Sequence, residues 1–224
     1  MASHSVNQIV EEQARRWERV NQGAAKRPAK PCVAVSRLPY SGATELAQKL
    51  AIRLDYGVFG REIVDEIAKS EGIGKDLVAG LDEHVETAID RHVLDGFRHR
   101  RFNETDYLRE TVRIVTTLGM RGQTVIIGRG SASILPAEST LRVMVVSPFE
   151  ARRDRFAKIR AVRADEATER LRREDEGRRE FWKHNFSVEH VDPGMYDLAV
   201  NTTTLTIDGA VDLVEAAFRR RFPS

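Results

Sequence analysis

The chain has 224 residues, enough for one generous domain and short for two. Hydrophobic residues make up 41% and charged residues 31%, a globular rather than disordered balance, and a formal net charge of +2 excludes the broad basic field of a nucleic-acid or membrane-surface binder. Cys32 is the single cysteine, which excludes an internal disulfide framework; with no signal-type apolar run at the start and none long enough to span a bilayer, the sequence reads as cytoplasmic.

In chain order, Val6, Ile9, Val10, Trp17 and Val20 recur at helical spacing, which predicts an amphipathic helix over residues 5–21. Asn21-Gln22-Gly23 stops it, and a polar stretch up to Pro31 reads as a linker, so residues 1–31 stand apart from a domain over 32–224. The helix must bury its stripe either on its own domain or against a second copy, as a homodimer. Cys32–Val35 is a short apolar strand, Ala43–Leu54 a helix and Gly57–Phe59 a second strand. Helical patterns follow at Glu62–Lys69, Lys75–Leu81, Val85–Phe97 and Asp106–Leu118, the last closed by Gly119 as its terminating glycine. Thr124–Ile127, Leu141–Val146 and Leu198–Val200 are the remaining strands. Between the last two, Ser147-Pro148-Phe149-Glu150 has the form of a capping box opening a helix to about Ala161, followed by a charged helix over Asp165–Trp182. Asp208–Phe218 closes the chain, with Val211, Val214 and Phe218 facing inward. Buried strands alternating with helices imply a parallel sheet covered on both faces.

The stretch VAV-SRLPYSGAT-ELAQKLAIRL is strand, tight loop and helix, the context of a phosphate-binding loop over Ser36–Thr44. A helix start offers free backbone N–H groups and a positive dipole end, and Gly42, after Ser41, lets the backbone approach an anion. Thr44 occupies the Ser/Thr position of GxxxxGK[ST], whose hydroxyl binds Mg²⁺. Arg37 stands in place of the first glycine and Ala43 in place of the lysine. Arg37, at a strand end, is the candidate cation to replace that lysine. The alternative reading of SG-x-T is a plain capping turn.

These segments, together with VIIGRG, RRDRF, REDEGRREFW and YDLAVNT in that order, make residues 32–218 resemble the cytidylate kinase-like family, relatives of the P-loop nucleoside monophosphate kinases. The resemblance implies a five-stranded parallel sheet in order 2-3-1-4-5 with helices on both faces and a helical lid over about 150–186. It implies ATP, with Mg²⁺, over Ser36, Tyr40, Ser41, Gly42, Ala43 and Thr44, and a small phosphorylated acceptor at Arg129. It also places Arg152, Arg153, Arg155 and Arg178 on the lid, with Asp175 and Arg178 matching the DxxR half of the lid motif. Departures are Gly130 for the aspartate of GRD, Leu171-Arg172 for the first Arg-Asp pair of the lid motif, and Gly60 for an aspartate.

Each candidate also has a plainer reading. Arg129 follows a buried strand at the sheet edge where ligands of open α/β folds bind, or it is a turn arginine paired to a carboxylate. Glu174–Arg178 and Asp175–Arg179 have the i,i+4 spacing of an exposed ion-paired helix, while Arg155 and Arg178 are the candidate catalytic arginines beside Arg37. Cys32 reads as core, His184 and His190 as lid lining, and Phe181 and Trp182 as packing or base stacking. The function these residues imply is ATP-dependent phosphoryl transfer to a nucleoside monophosphate or related acceptor. The rivals are a nucleotide-binding regulator that lost transfer with its lysine, and a dimeric interaction module.

Overall fold

The computed structural model describes residues 6–21, 31–69, 83–99, 105–188 and 192–223. The expected helix Lys75–Leu81, the linker up to residue 30 and His190 lie outside them. The strands are β1 (Cys32–Arg37), β2 (Gly57–Phe59), β3 (Thr124–Ile127), β4 (Thr140–Val146) and β5 (Leu198–Asn201). They form one sheet in the order β2-β3-β1-β4-β5, every pair parallel, as the resemblance implies. The helices are α1 (Val6–Asn21), α2 (Ala43–Leu54), α3 (Arg61–Lys69), α4 (Glu83–Arg98), α5 (Asp106–Arg121), the short α6 (Ser131–Ile134), α7 (Phe149–Arg160), α8 (Ala164–Phe186) and α9 (Ile207–Arg221).

Strand alternation divides the interior in two. Val33, Val35, Val125, Ile127, Val143 and Val145 point to one face and pack with Leu46 and Leu50 of α2 and Val211, Val214 and Phe218 of α9. Cys32, Ala34 and Ile126 point to the other, against Val64, Val93, Leu108, Val115, Trp182 and Phe186. A third, small core of Phe156, Ala167 and Leu171 joins α7 to α8, so the lid pair has its own apolar centre.

Helix α1 lies against α3 of the same chain, with Val10 in the second core. Its stripe includes a residue that periodicity passes over: Gln13 is 2% exposed, its amide donates to the Gln123 carbonyl at 3.4 Å, and it fills the space beside Gly57.

Two expected local signals resolve differently. Helix α5 runs past Gly119 to Arg121, and Gly122 (φ 72) ends it. Gly119 instead makes room for Leu135, whose side chain occupies the place of a Cβ. The expected capping box at Ser147 does not form: Pro148 is the N-cap residue of α7, and the Ser147 hydroxyl pairs with that of Thr203 at 2.6 Å.

Candidate functional site

At the end of β1 the chain turns above the carboxyl edge of the sheet to enter α2. Ser36 is buried on β1, with Arg37 as the last strand residue. The Ser41 N–H donates to the Leu38 carbonyl at 3.1 Å, and Tyr40 (φ 59) and Gly42 (φ 83) take left-handed conformations. Gly42 is the N-cap residue of α2 and supplies no side-chain cap, while its carbonyl accepts from the Leu46 N–H at 3.0 Å. Among the described residues nothing accepts from the amides of residues 42–45, so the helix start holds a row of free donors at its positive end. The Ser41 hydroxyl is buried there without a partner, and Thr202 donates to the Ser41 carbonyl at 2.6 Å, fixing the loop from β5. Thr44 is exposed in the first turn of α2. Ala43, at the lysine position, is 2% exposed and packs in the α2–α9 core.

Cations gather around this turn. Arg37 sends its guanidinium toward the next strand end, where Nη1 would lie 3.3 Å from a Cβ on Gly128. Burial holds its pKa below the ordinary arginine range; Glu62 opposes that, and Arg61, Arg178 and Arg129 add to it by like-charge repulsion. Burial lowers Arg178 likewise, against the favourable influence of Tyr196 and Asp175, and its guanidinium lies 5.9 Å from the Trp182 ring centre. Neither Arg37 nor Arg178 has a carboxylate within 4.0 Å among the described residues. The two i,i+4 pairs expected on α8, Glu174–Arg178 and Asp175–Arg179, do not form, although Glu166–Arg170 and Glu169–Arg173 earlier in the helix do: Asp175 turns inward to Arg152, and Arg179 pairs with Glu176 at 3.4 Å.

Arg129 stands between Gly128 and Gly130 after β3, all of them at positive φ. Its guanidinium pairs with Asp65 of α3, which also accepts from the Tyr107 hydroxyl at 2.9 Å. The rings of Tyr107 and Phe181 lie 5.8 and 5.5 Å from it. A side chain at position 130 would run into the Phe186 ring, so glycine is required where the family motif has aspartate.

The lid arginines divide by partner. Arg152 is buried: it holds Asp175 through two hydrogen bonds (2.8 and 2.9 Å) and donates to the Pro39 and Ser147 carbonyls. It ties β4, the loop and α8 together, its donors facing protein oxygens. Arg155 donates to the Tyr40 carbonyl at 2.8 Å and lies over Gly42 beside Ile207. The Tyr40 ring packs 4.4 Å from Phe156, and its hydroxyl accepts from Arg160. Its backbone takes part in the turn through its left-handed conformation. Arg153 pairs with its neighbour Asp154 on the exposed side.

Free amides, an orphaned buried hydroxyl and uncompensated guanidiniums together suit a polyphosphate. Among the described residues no group of three or more His, Cys, Asp or Glu could hold a metal ion. Asp65, Tyr107 and Thr202 escape the sequence reading. Asp65 is an acid on an amphipathic helix, and nothing in its spacing marks a partner at residue 129.

Comparison with known proteins follows the same lines. The family model described as the cytidylate kinase-like family matches residues 32–204. A cytidylate kinase from Methanopyrus kandleri is 25% identical over 197 residues, covering 83% of this chain and 91% of that protein. One from Pyrococcus horikoshii is 24% identical over 191 residues, covering 83% and 86%. The crystal structure of an uncharacterized protein from Eubacterium ventriosum superposes with a TM-score of 0.67 at 17% identity, covering 85% of this chain and 99% of that one, which shows a shared fold. With a family match that spans both the β1–α2 turn and the glycine-flanked arginine, this chain belongs to the cytidylate kinase-like family.

Proposed function

We propose that the protein transfers the γ-phosphoryl group of Mg·ATP to the phosphate of a nucleoside monophosphate of the cytidylate type. The observation that carries this is a pair of partly buried guanidiniums, Arg37 and Arg178, with no carboxylate within 4.0 Å among the described residues, together with the free amides of residues 42–45. A partly desolvated charge without a carboxylate is costly, and an anion bound between the two would complete both.

The roles follow from position. The amides from Gly42 onward and the Ser41 hydroxyl seat the donor's phosphates. Mg²⁺, bound with the nucleotide and the Thr44 hydroxyl, supplies charge neutralisation between phosphates. Arg37 reaches from β1 toward the GRG turn, and in this reading it takes the part of the absent lysine between the donor and acceptor phosphates. Arg178 and Arg155 approach from the lid, and Arg129 holds the acceptor's phosphate. An acceptor oxygen forms the new bond to the γ-phosphorus as the bond to the ADP oxygen breaks. The enzyme's work is orientation and cancellation of charge on the transferring oxygens.

The test is ADP release from ATP with CMP, dCMP, UMP and AMP in turn, with and without Mg²⁺. Turnover with a cytidine or uridine monophosphate is expected. A second reading has its own observation: Ala43 is packed in the core, so no cation occupies the lysine position itself. ATP binding without ADP release for any acceptor would overturn the kinase reading in favour of a nucleotide-binding regulator. Loss of ATP binding altogether would leave the interaction module.

A further inference from the structure

We infer that Asp65, with Tyr107, is the positioning residue that aims Arg129 at the acceptor's phosphate; the inference rests on the reading of Arg129 given above. Asp65 sits on α3, one turn beyond Arg61 and Glu62, and its carboxylate is committed on both sides. One oxygen takes a single Nη of Arg129, and the other accepts from the Tyr107 hydroxyl at 2.9 Å. The pair is shielded, the Arg129 and Asp65 side chains being 13% and 24% exposed.

A guanidinium has five N–H donors in a fixed plane. Asp65 takes one corner, and Nε of Arg129 is buried. The Tyr107 and Phe181 rings restrict the plane from the sides. The edge left over is the one carrying Nη1 and the second Nη2 proton, a fork suited to two oxygens of one phosphate. The backbone cannot do this aiming: Arg129 is itself in a left-handed conformation between two left-handed glycines, a turn that fixes where the side chain starts but not where it ends. Asp65 and Tyr107 come from α3 and α5, which places them on the segment between β2 and β3, against the acceptor side of the site.

The charge balance makes the test discriminating. Asp65→Asn removes a negative charge from a cluster that already contains Arg37, Arg61, Arg129 and Arg178. By Coulomb attraction alone the variant would bind a phosphate more tightly. If Asp65 aims Arg129, the variant binds it more weakly in spite of that gain.

The experiment uses the full chain with CMP as probe, followed by intrinsic fluorescence and by steady-state ADP release, for wild type, Asp65→Asn, Tyr107→Phe and Arg129→Ala. For Asp65→Asn the acceptor KM is expected to rise about tenfold or more, the scale of a modest misplacement, with the ATP KM unchanged. Tyr107→Phe, which keeps the ion pair, should move the acceptor KM in the same direction and by less, and thermal unfolding in both variants should retain a single cooperative transition. An acceptor KM that is unchanged or lower in Asp65→Asn, with CMP binding lost in Arg129→Ala, overturns the inference and leaves the site reading intact. Failure of CMP to bind the wild type, or equal binding to wild type and Arg129→Ala, overturns the site reading and this inference with it.

Discussion

Replacing Arg37 with methionine should make the free protein more stable and the loaded one inactive. Methionine keeps most of the side-chain length and packing while removing the charge. The guanidinium of Arg37 is desolvated, is attracted chiefly by Glu62, and is repelled by Arg61, Arg178 and Arg129. Buried ionic groups replaced by apolar ones of similar volume often stabilise a fold by about 1–4 kcal/mol. Taking about 2 kcal/mol, and 2–4 °C per kcal/mol for a domain of this size, the unliganded melting temperature should rise by roughly 4–8 °C. In the presence of ATP the order should narrow or invert. A ligand at one hundred times its Kd adds about 2.7 kcal/mol to the wild type, and the variant forfeits much of that. Phosphoryl transfer should fall by about 10³ or more, the lower range for an arginine that neutralises a transferring phosphoryl group.

The assay is a thermal melt with and without Mg·ATP, paired with ADP release, for wild type, Arg37→Met, Arg178→Met and the double variant. Because the two guanidiniums repel each other, removing one relieves the other, so the two stabilising effects should sum to more than the double variant gains. A free-protein melting temperature that falls on Arg37→Met would refute the reasoning, since the guanidinium would then be completing the fold rather than awaiting an anion.

Two further outcomes follow from pairs that are already complete. Arg152 is spent on Asp175 and on two carbonyls, so Arg152→Met should destabilise by about 3 kcal/mol, the scale of breaking a buried pair, and Arg152→Lys should rescue little because a single ammonium cannot reproduce the two-pronged contact; chemical denaturation of the three chains reads this directly. At Asp197 burial alone would raise the carboxyl, but the fork and amide of Arg142 and the charge of Arg221 outweigh it and hold the group below the ordinary carboxylate range. A depressed folded-state pKa gives stability that is present above about pH 4 and is lost as the pH falls through the folded value, so Asp197→Asn should flatten the acid limb of a stability-against-pH curve below pH 4 and lower the plateau at neutral pH.

The sheet was legible because burial writes itself into short apolar runs. VAV, VII and VMVV have no polar residue to offer water, which only a sheet covered on both faces tolerates, and helices such as α2 and α9 carry period-3.6 stripes. Where the reading slipped, a residue type had more than one physical use. Gly119 resembles a helix terminator but is a gap for Leu135; Ser147 resembles a cap but bonds Thr203. Gln13 shows the converse, a polar side chain buried because one carbonyl and one glycine on the sheet edge accommodate it.

The site was legible only as far as the backbone goes. Ser41-Gly42 before a helix and Gly128-Arg129-Gly130 after a strand mark where the chain must turn, and both turns do take left-handed conformations at the sheet's carboxyl edge. What sequence does not carry is the pairing of charges. The arginine-rich lid contains arginines of opposite use at close spacing: Arg152 is a brace, Arg155 a clasp on the loop carbonyl, and Arg178 a cation without a carboxylate. Asp175, which by spacing belonged to Arg179, is spent on Arg152, and Glu174, the i,i+4 acid of Arg178, forms no ion pair with it, so Arg178 has no carboxylate within 4.0 Å among the described residues. A helix in which every arginine found an i,i+4 acid would be an inert solvated surface. Arg178 keeps its charge without a carboxylate because Glu174 stays apart from it while Asp175 faces inward, and the turn of Asp175 is set by the depth of Arg152 beneath α8 rather than by anything within the helix's own sequence.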